Sequence, residues 1–344
     1  MGVRASTPPR VLSARFPQNC CRKYACTTPS APLLAIAEQV HDVMTTYVNV
    51  SLLKIKLFAI QTKSAKLRSI GNELWCVTDS GEIVKSAADQ DGKWQRKHDH
   101  IRFVLHTNDV RITYVISDCV STVSGNIVVS CSGFESDKPI TDGQEVTSLA
   151  LVEIDHSGSI LWVIDNDQYF TQLTSLEDSV FALMPQANQS PKIKWFRHDG
   201  HEWESVIEIF TQDAIVTSSL GAYCNHLYVT CSNTSAVYVI NLGAYSTADL
   251  DTVDIIITAK DRLFAMQHRH VRIHHVTKNG DIFMTAASAK PEDHVTITRD
   301  KEDEQCVFYT LHGDAFTSVA MTQAGDIIVT TKSERDVMKL SRIS

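Results

Sequence analysis

Short apolar runs recur along the chain, each in the same local setting. They are Leu74-Trp75-Cys76-Val77, Ile127-Val128-Val129-Ser130, Val180-Phe181-Ala182-Leu183, Leu227-Tyr228-Val229-Thr230, Ile282-Phe283-Met284-Thr285 and Ile327-Ile328-Val329-Thr330. Their β-branched and aromatic content is that of buried strands. Most follow a Gly, Asn or Asp by one or two residues, and successive starts lie 45 to 55 residues apart. Repetition at that period marks an architecture of repeated β-sheet units.

Each unit continues alike. A second strand, a tight polar turn and a third strand follow the apolar run, as in Leu149–Asp155, Ser157-Gly158 and Ser159–Ile164. Lys192–Arg197, Asp199-Gly200 and Glu202–Ile209 repeat the pattern. Gly after Asp or Ser supplies the positive φ that hairpin turns require. A short strand leads each unit in, for example Lys66–Ile70 and Thr317–Met321. Four antiparallel strands per unit make a propeller blade.

Six units account for the chain from residue 48 onward. The last, 317–344, shows only three strands, while Ser51–Phe58 is a spare strand with Leu53, Ile55 and Leu57 alternating with Lys54 and Lys56. Pairing the spare strand with the incomplete blade closes the ring and removes two open edges. The expected fold is therefore all-β: a six-bladed β-propeller over 48–344, closed by an N-terminal strand. Residues 100–118 fit least well, because Ile101–Leu105 and Val110–Ile116 offer two strands where one is needed.

Asn279-Gly280-Asp281-Ile282-Phe283-Met284-Thr285 and Gly125-Asn126-Ile127-Val128-Val129-Ser130, with an Ile/Val-rich strand and an Asp-x-x-Gly turn such as Asp155–Gly158 after such a run, resemble NHL-type propellers. The six-bladed kind at the C-terminus of tripartite-motif proteins is the nearest pattern. It implies a domain that binds protein, or in some cases RNA. No paired Cys/His array for a RING or B-box accompanies it, so no ubiquitin-ligase activity carries over. Leu311–Ala320 with Val337–Leu340 echoes one WD-type unit, but no Gly-His to Trp-Asp pairing appears.

Residues 1–47 read as a separate basic arm. The first 29 carry no acidic residue and suit a disordered arm, a transit peptide or a lipidated arm. Met1–Ser6 fits the myristoylation pattern at Gly2, with Cys20 and Cys21 as further acylation candidates. Leu33, Leu34, Ala37, Val40, Val43, Met44 and Tyr47 fall on one face of a short amphipathic helix. This arm carries +3 of a whole-chain net charge of −8, which leaves −11 on the body. An acidic body repels phosphates, which counts against nucleic acid. Nine cysteines, an odd number, and the lack of an apolar secretory stretch point to a reducing, cytoplasmic setting. No apolar run is long enough to span a bilayer.

No nucleophile elbow, phosphate loop, dinucleotide fingerprint or zincin motif is present, so neither enzyme chemistry nor a cofactor is expected. His198, His201 and Glu202 flank a hairpin turn and read as a solvated tip. His268, His270, Arg272 and His274 would share one strand face, as a zinc site, a pH-sensitive basic patch or simply solvated imidazoles; no carboxylate or Cys joins them, so no metal is expected. A calcium-dependent propeller hydrolase would need an axial ring of carboxylates and amides, yet Glu135, Asp137, Asp142 and Glu145 sit in turns and insertions. What remains is a binding face built from the loops between second and third strands. Asp79, Phe134, Asn233, Lys290, Lys332 and Arg335 are its candidates, with Phe134 as the aromatic anchor in a long 133–147 insertion. The functional expectation is a non-enzymatic scaffold for a protein or peptide partner; an RNA-binding propeller and the calcium-dependent hydrolase are the alternatives.

Overall fold

A computed structural model of the chain describes the strands and most tight turns between residues 48 and 342. Residues 1–47, 343–344 and the connecting stretches 50–51, 60–63, 90–93, 102, 108–109, 136–147, 166, 186–190, 212–216, 232–235, 246–254, 266–268, 277–281, 288–293, 299–305, 311–315, 323–324 and 332–335 lie outside the described residues. The basic arm, its helix, the Gly2 pattern, His268, Asn233, Lys290, Lys332 and Arg335 all fall there.

Two strands, β1 (Val48–Asn49) and β2 (Leu52–Ala59), precede six sheets. The first sheet is β3 (Ser64–Ile70), β4 (Glu73–Thr78), β5 (Ile83–Ala88) and β6 (Trp94–Ile101). The second is β7 (Phe103–Thr107), β8 (Val110–Ser121), β9 (Ile127–Glu135), β10 (Ser148–Ile154) and β11 (Ile160–Asp165). The third is β12 (Gln172–Leu176), β13 (Ser179–Met184), β14 (Lys192–His198) and β15 (Trp203–Thr211). β16 (Thr217–Tyr223), β17 (His226–Cys231) and β18 (Ala236–Asn241) start the fourth, and after β19 (Ile255–Ile257) the chain returns to complete it with β20 (Arg262–Ala265). The fifth is β21 (Arg269–Val276), β22 (Ile282–Ala287), β23 (His294–Thr298) and β24 (Cys306–Thr310). The sixth is β25 (Phe316–Met321), β26 (Ile327–Thr331) and β27 (Asp336–Arg342), with β2 added to it. Two three-residue 3-10 turns, Leu242–Ala244 and Ala259–Asp261, are the only helix among the described residues. The architecture is an all-β propeller.

The first strand of each sheet to follow its predecessor radially defines the axis: β3 packs on β8, β8 on β12, β12 on β16, β16 on β21, β21 on β25, and β25 returns to β3. β7 stands apart, as a hairpin partner of β8. The spare strand pairs where closure requires. β2 runs antiparallel to β27, with Leu53 opposite Ser341 and Ile55 opposite Lys339.

The core lies between neighbouring sheets. Leu67, Leu74, Cys76 and Val84 of the first sheet pack against Ala320, Ile328 and Val337 of the sixth. Trp75, Val77 and Ile83 pack from the other face against Ile116, Val129 and Val152 of the second. Sheets that bury both faces explain why the apolar runs are continuous rather than alternating. The turns form for local reasons: the Asp155 carboxylate accepts from the N–H groups of Ser157 and Ser159, and Gly158 takes φ +93°.

Three expectations need correction. The two runs in 100–118 belong to β6 through β8, where β7 folds back on the first half of β8, Phe103 opposite Tyr114 and Thr107 opposite Val110. This hairpin lengthens β8 and β9 beyond the sheet, so Phe134 lies in β9, opposite Thr113, and not in a loop. The sheets are also not uniformly four-stranded and antiparallel. β19 adds to the edge of β15, and β1 to the edge of β24, both parallel.

Candidate functional site

The inner strands start at one rim and end at the other. Ser64, at the start of β3, lies opposite Thr78 at the end of β4, so the Asp79-Ser80-Gly81 turn sits at the starting rim. The same rim receives the end of β9, because Ile112 lies opposite Glu135. The turn is pinned there: the Gly81 carbonyl accepts from the Ile116 N–H at 3.0 Å. Gly81 has φ +73°, and a Cβ on it would stand 2.3 Å from Val115 Cγ1. Only glycine permits that approach.

At this rim an open hollow of about 940 Å³ is lined by Lys66, Asp79, Val115, Ser117, Ser132, Phe134, Ser148, Leu149, Asp167 and Tyr169, among others. Val115, Phe134, Leu149 and Tyr169 give it apolar wall, with Tyr169 37% exposed and Phe134 half-buried. Asp79 and Asp167 are exposed acids of its lining. The single Ser117 hydroxyl proton is shared inside the wall between the carbonyls of Phe170 at 2.8 Å and Ser130 at 3.0 Å. Burial raises the Tyr169 phenol above its ordinary value, so it stays neutral and presents a ring with a polar tip.

Lys66 lines the hollow, 26% of its side chain exposed, beside a buried charge cluster. Its ammonium donates to the Thr171 carbonyl and stands 3.3 Å from the fully buried Asp118. Asp118 accepts from Arg68 Nη2 at 2.7 Å and from the N–H groups of Leu173 and Cys119 at 2.8 Å. Burial alone would raise the Asp118 pKa; the charges of Arg68 and Lys66 and the Leu173 N–H outweigh it and hold the carboxyl below the usual range. Burial lowers the Lys66 pKa, only partly offset by Asp118. Arg68 also donates to the carbonyls of Cys119 at 3.0 Å and His274 at 3.3 Å, tying the first sheet to the second and fifth. Beyond it, a smaller cavity of about 170 Å³ follows the axis, lined by the C-terminal halves of all six inner strands.

Asp118 occupies a repeated position. Lys66, Asp118, Gln172, Ser219, Arg272 and Ser318 lie opposite Val77, Ser130, Leu183, Thr230, Thr285 and Thr330, the fourth residue of each recurring apolar run. Three of them perform one task. Asp118 accepts the N–H of Leu173, Ser219 that of Ile273 and Ser318 that of Leu67, each on the next inner strand. Gln172 instead donates to the Leu220 carbonyl at 3.0 Å. These side chains latch neighbouring sheets around the axis. The sequence offered a signal for them, a polar residue before an apolar one in each lead-in strand, which becomes visible only once the six strands are aligned.

The histidine-rich run is a strand, but bulges between Arg269 and Arg272 and between Ile273 and His275 break the alternation that would have put its histidines on one face. Neither a solvated face nor a switch near neutral pH results for the described pair. Burial first, and then Arg68, push His274 down to about 3 and His275 down to about 4, so both are neutral imidazoles. The His198–Glu202 tip is the solvated turn expected, organised by Asp199 accepting from the His201 and Glu202 N–H groups. Cys76, Cys131 and Cys231 are buried within sheets. Of the binding-face candidates, Asp79 and Phe134 are brought together in the hollow. Lys66, Ser117, Asp167 and Tyr169 are additions that the loop-based reading missed, because they come from lead-in strands and the segment before β12.

No family model and no curated protein matches the sequence. Solved structures do match in fold. A gluconolactonase from Xanthomonas campestris superposes with a TM-score of 0.53 at 12% identity, over 88% of this chain and 93% of that one. The WD40 β-propeller domain of Doa1 gives 0.50 at 14%, over 86% and 98%. Virginiamycin B lyase from Staphylococcus aureus gives 0.50 at 12%, over 86% and 100%. All three carry the propeller fold, which hosts scaffolds and enzymes alike, so fold by itself does not decide function. Among the described residues no helix is long and apolar enough to cross a membrane.

Proposed function

We propose that the chain is a closed six-bladed propeller, NHL-like in its blade pattern, that binds an extended segment of a protein partner in the hollow at the starting rim. Six sheets, a closed circuit of inner strands and the β2–β27 pairing support the blade count. The hollow carries the binding reading: it is at the upper end of the size range of ligand sites, with apolar wall and a few polar groups at its edge. Asp79 and Asp167 favour a segment with a basic residue beside an apolar anchor, the anchor resting on Phe134 and Tyr169. The same acids disfavour an RNA backbone. Among the described charged side chains of the axis, Lys66, Arg68 and Arg272 outnumber Asp118, a balance that repels a divalent cation and counts against the calcium-dependent hydrolase.

The test is the affinity of a partner for wild type and for Phe134→Ala/Tyr169→Ala. As hot-spot residues they should together cost about 2 kcal/mol or more, roughly a thirtyfold weaker complex. Melting temperature should shift by no more than a few degrees. Unchanged affinity places binding outside the hollow.

A further inference from the structure

The outer edge of the second sheet is unlike the other described surface. In β11, Ile160 is 40% exposed, Leu161 44%, Trp162 46% and Val163 60%, the only run of consecutive exposed large apolar residues among the described residues. Three or four such residues in a row are a surface fault unless they serve a purpose. β11 pairs with β10 on one side, and no described strand pairs with its other edge. Two other sheets show what an outer edge takes in this molecule. On β15 the parallel strand Ile255–Ile257 adds as a fifth strand, and its Ile255 and Ile257 become buried; Val48–Asn49 adds to β24.

Charge narrows the occupant. Asp155 stands before β11 and Asp167 after it, and the adjacent strand β15 and its turn present exposed Glu204 and Glu202. Asp165 is already paired with Lys194 at 2.7 Å. A second copy pairing antiparallel would set the Asp155 end of one molecule against the Asp167 end of the other. A basic apolar segment suits the edge, and the chain has one. Arg10-Val11-Leu12-Ser13-Ala14-Arg15-Phe16 places Val11, Leu12, Ala14 and Phe16 between and beside two arginines, with no acidic residue before Glu38.

We propose that the edge of β11 takes Arg10–Phe16 of the chain's own arm as a short added strand. The span from Phe16 to Val48 is long enough: as a flexible coil it covers about 30 Å on average, and about 100 Å at full stretch. Tethering raises the effective concentration to the order of millimolar, which lets a short pairing form. Bulges in the β10–β11 pairing shorten the straight run of the edge, so the added strand is short, like those on β15 and β24.

Hydrogen–deuterium exchange of the full-length chain tests this. The amides of Leu161–Asp165 should exchange on the order of tenfold faster in Arg10→Glu/Arg15→Glu than in wild type. A Leu12→Lys variant should show the same rise, and Leu227–Cys231, in a buried strand, should stay unchanged in both. Adding a synthetic peptide of residues 8–18 should restore protection to either variant. Equal exchange of β11 in wild type and both variants overturns the proposal. Protection that grows with protein concentration also overturns it, because a second copy then covers the edge.

Discussion

Replacing Asp118 by Ser tests whether the axis is held by charge or by the repeated N–H latch. Ser is what the fourth and sixth sheets use at this position, where Ser219 and Ser318 accept the next strand's N–H at 2.6 and 2.8 Å. The substitution therefore keeps an acceptor for Leu173 and removes the only carboxylate, among the described residues, paired with Lys66 and Arg68. Breaking a buried pair by deleting one partner costs about 3–5 kcal/mol. Arg68 keeps its carbonyl acceptors and Lys66 is partly exposed, so the lower figure, about 3 kcal/mol, applies. For a domain of this size that is a fall in Tm of roughly 5 °C. Arg68→Ala alone leaves Asp118 with Lys66 and should cost about 2–3 kcal/mol. The double variant removes the arginine that the single Asp118 change leaves without its carboxylate, so its loss should fall short of the sum by about 1.5–2 kcal/mol. Urea unfolding at pH 7, followed by tryptophan fluorescence, measures all three. Additivity within about 0.5 kcal/mol would refute a charge-coupled axis.

Other outcomes follow from the same structure. His274 and His275, held at about 3 and 4 when folded against about 6.5 when unfolded, should give stability that is full above pH 6.5 and falls as pH drops toward 4. His274→Gln/His275→Gln should flatten that part of a urea-midpoint profile. Asp118 acts lower: its contribution is present above about pH 4 and lost as pH falls through its depressed folded value. Burial pushes the Cys119 and Cys131 thiols up to about 12, so in the folded protein they should resist alkylation at pH 8 while half-buried Cys224 reacts before them, as peptide mass mapping would read. Deleting residues 1–47 should leave a cooperative melt, whereas deleting 1–60, which removes β2 from β27, should not; identical melts would mean that the ring does not depend on this strand.

The sequence made the strands legible because they bury both faces, leaving continuous apolar runs bounded by Asp, Asn and Gly. The closing strand was legible from its alternation of Leu and Ile with Lys. Phe134 was misplaced because nothing local distinguishes an extended β9 from a loop; only the returning β7 hairpin makes it a strand. β19 was missed because three isoleucines in a long connection have no partner until β15 stands beside them. Lys66, Arg68 and Asp118 were missed for the same reason. Their polar character reads as ordinary strand patterning, and their roles arise between sheets that are about 50 residues apart in the repeat. The histidine run failed differently, because a strict period of two was assumed where the strand is bulged.

Site-specific photo-crosslinking addresses the proposed binding face most directly. A benzophenone amino acid placed at Phe134 reports contacts within the hollow. Placed at Val123, 77% exposed in the turn between β8 and β9 at the opposite rim, it serves as the control. The expected result is a discrete protein adduct from position 134, lost when Tyr169 is also replaced by Ala, and none from position 123. Adducts of equal yield from both rims, or from position 123 alone, would contradict a partner-binding hollow at the starting rim.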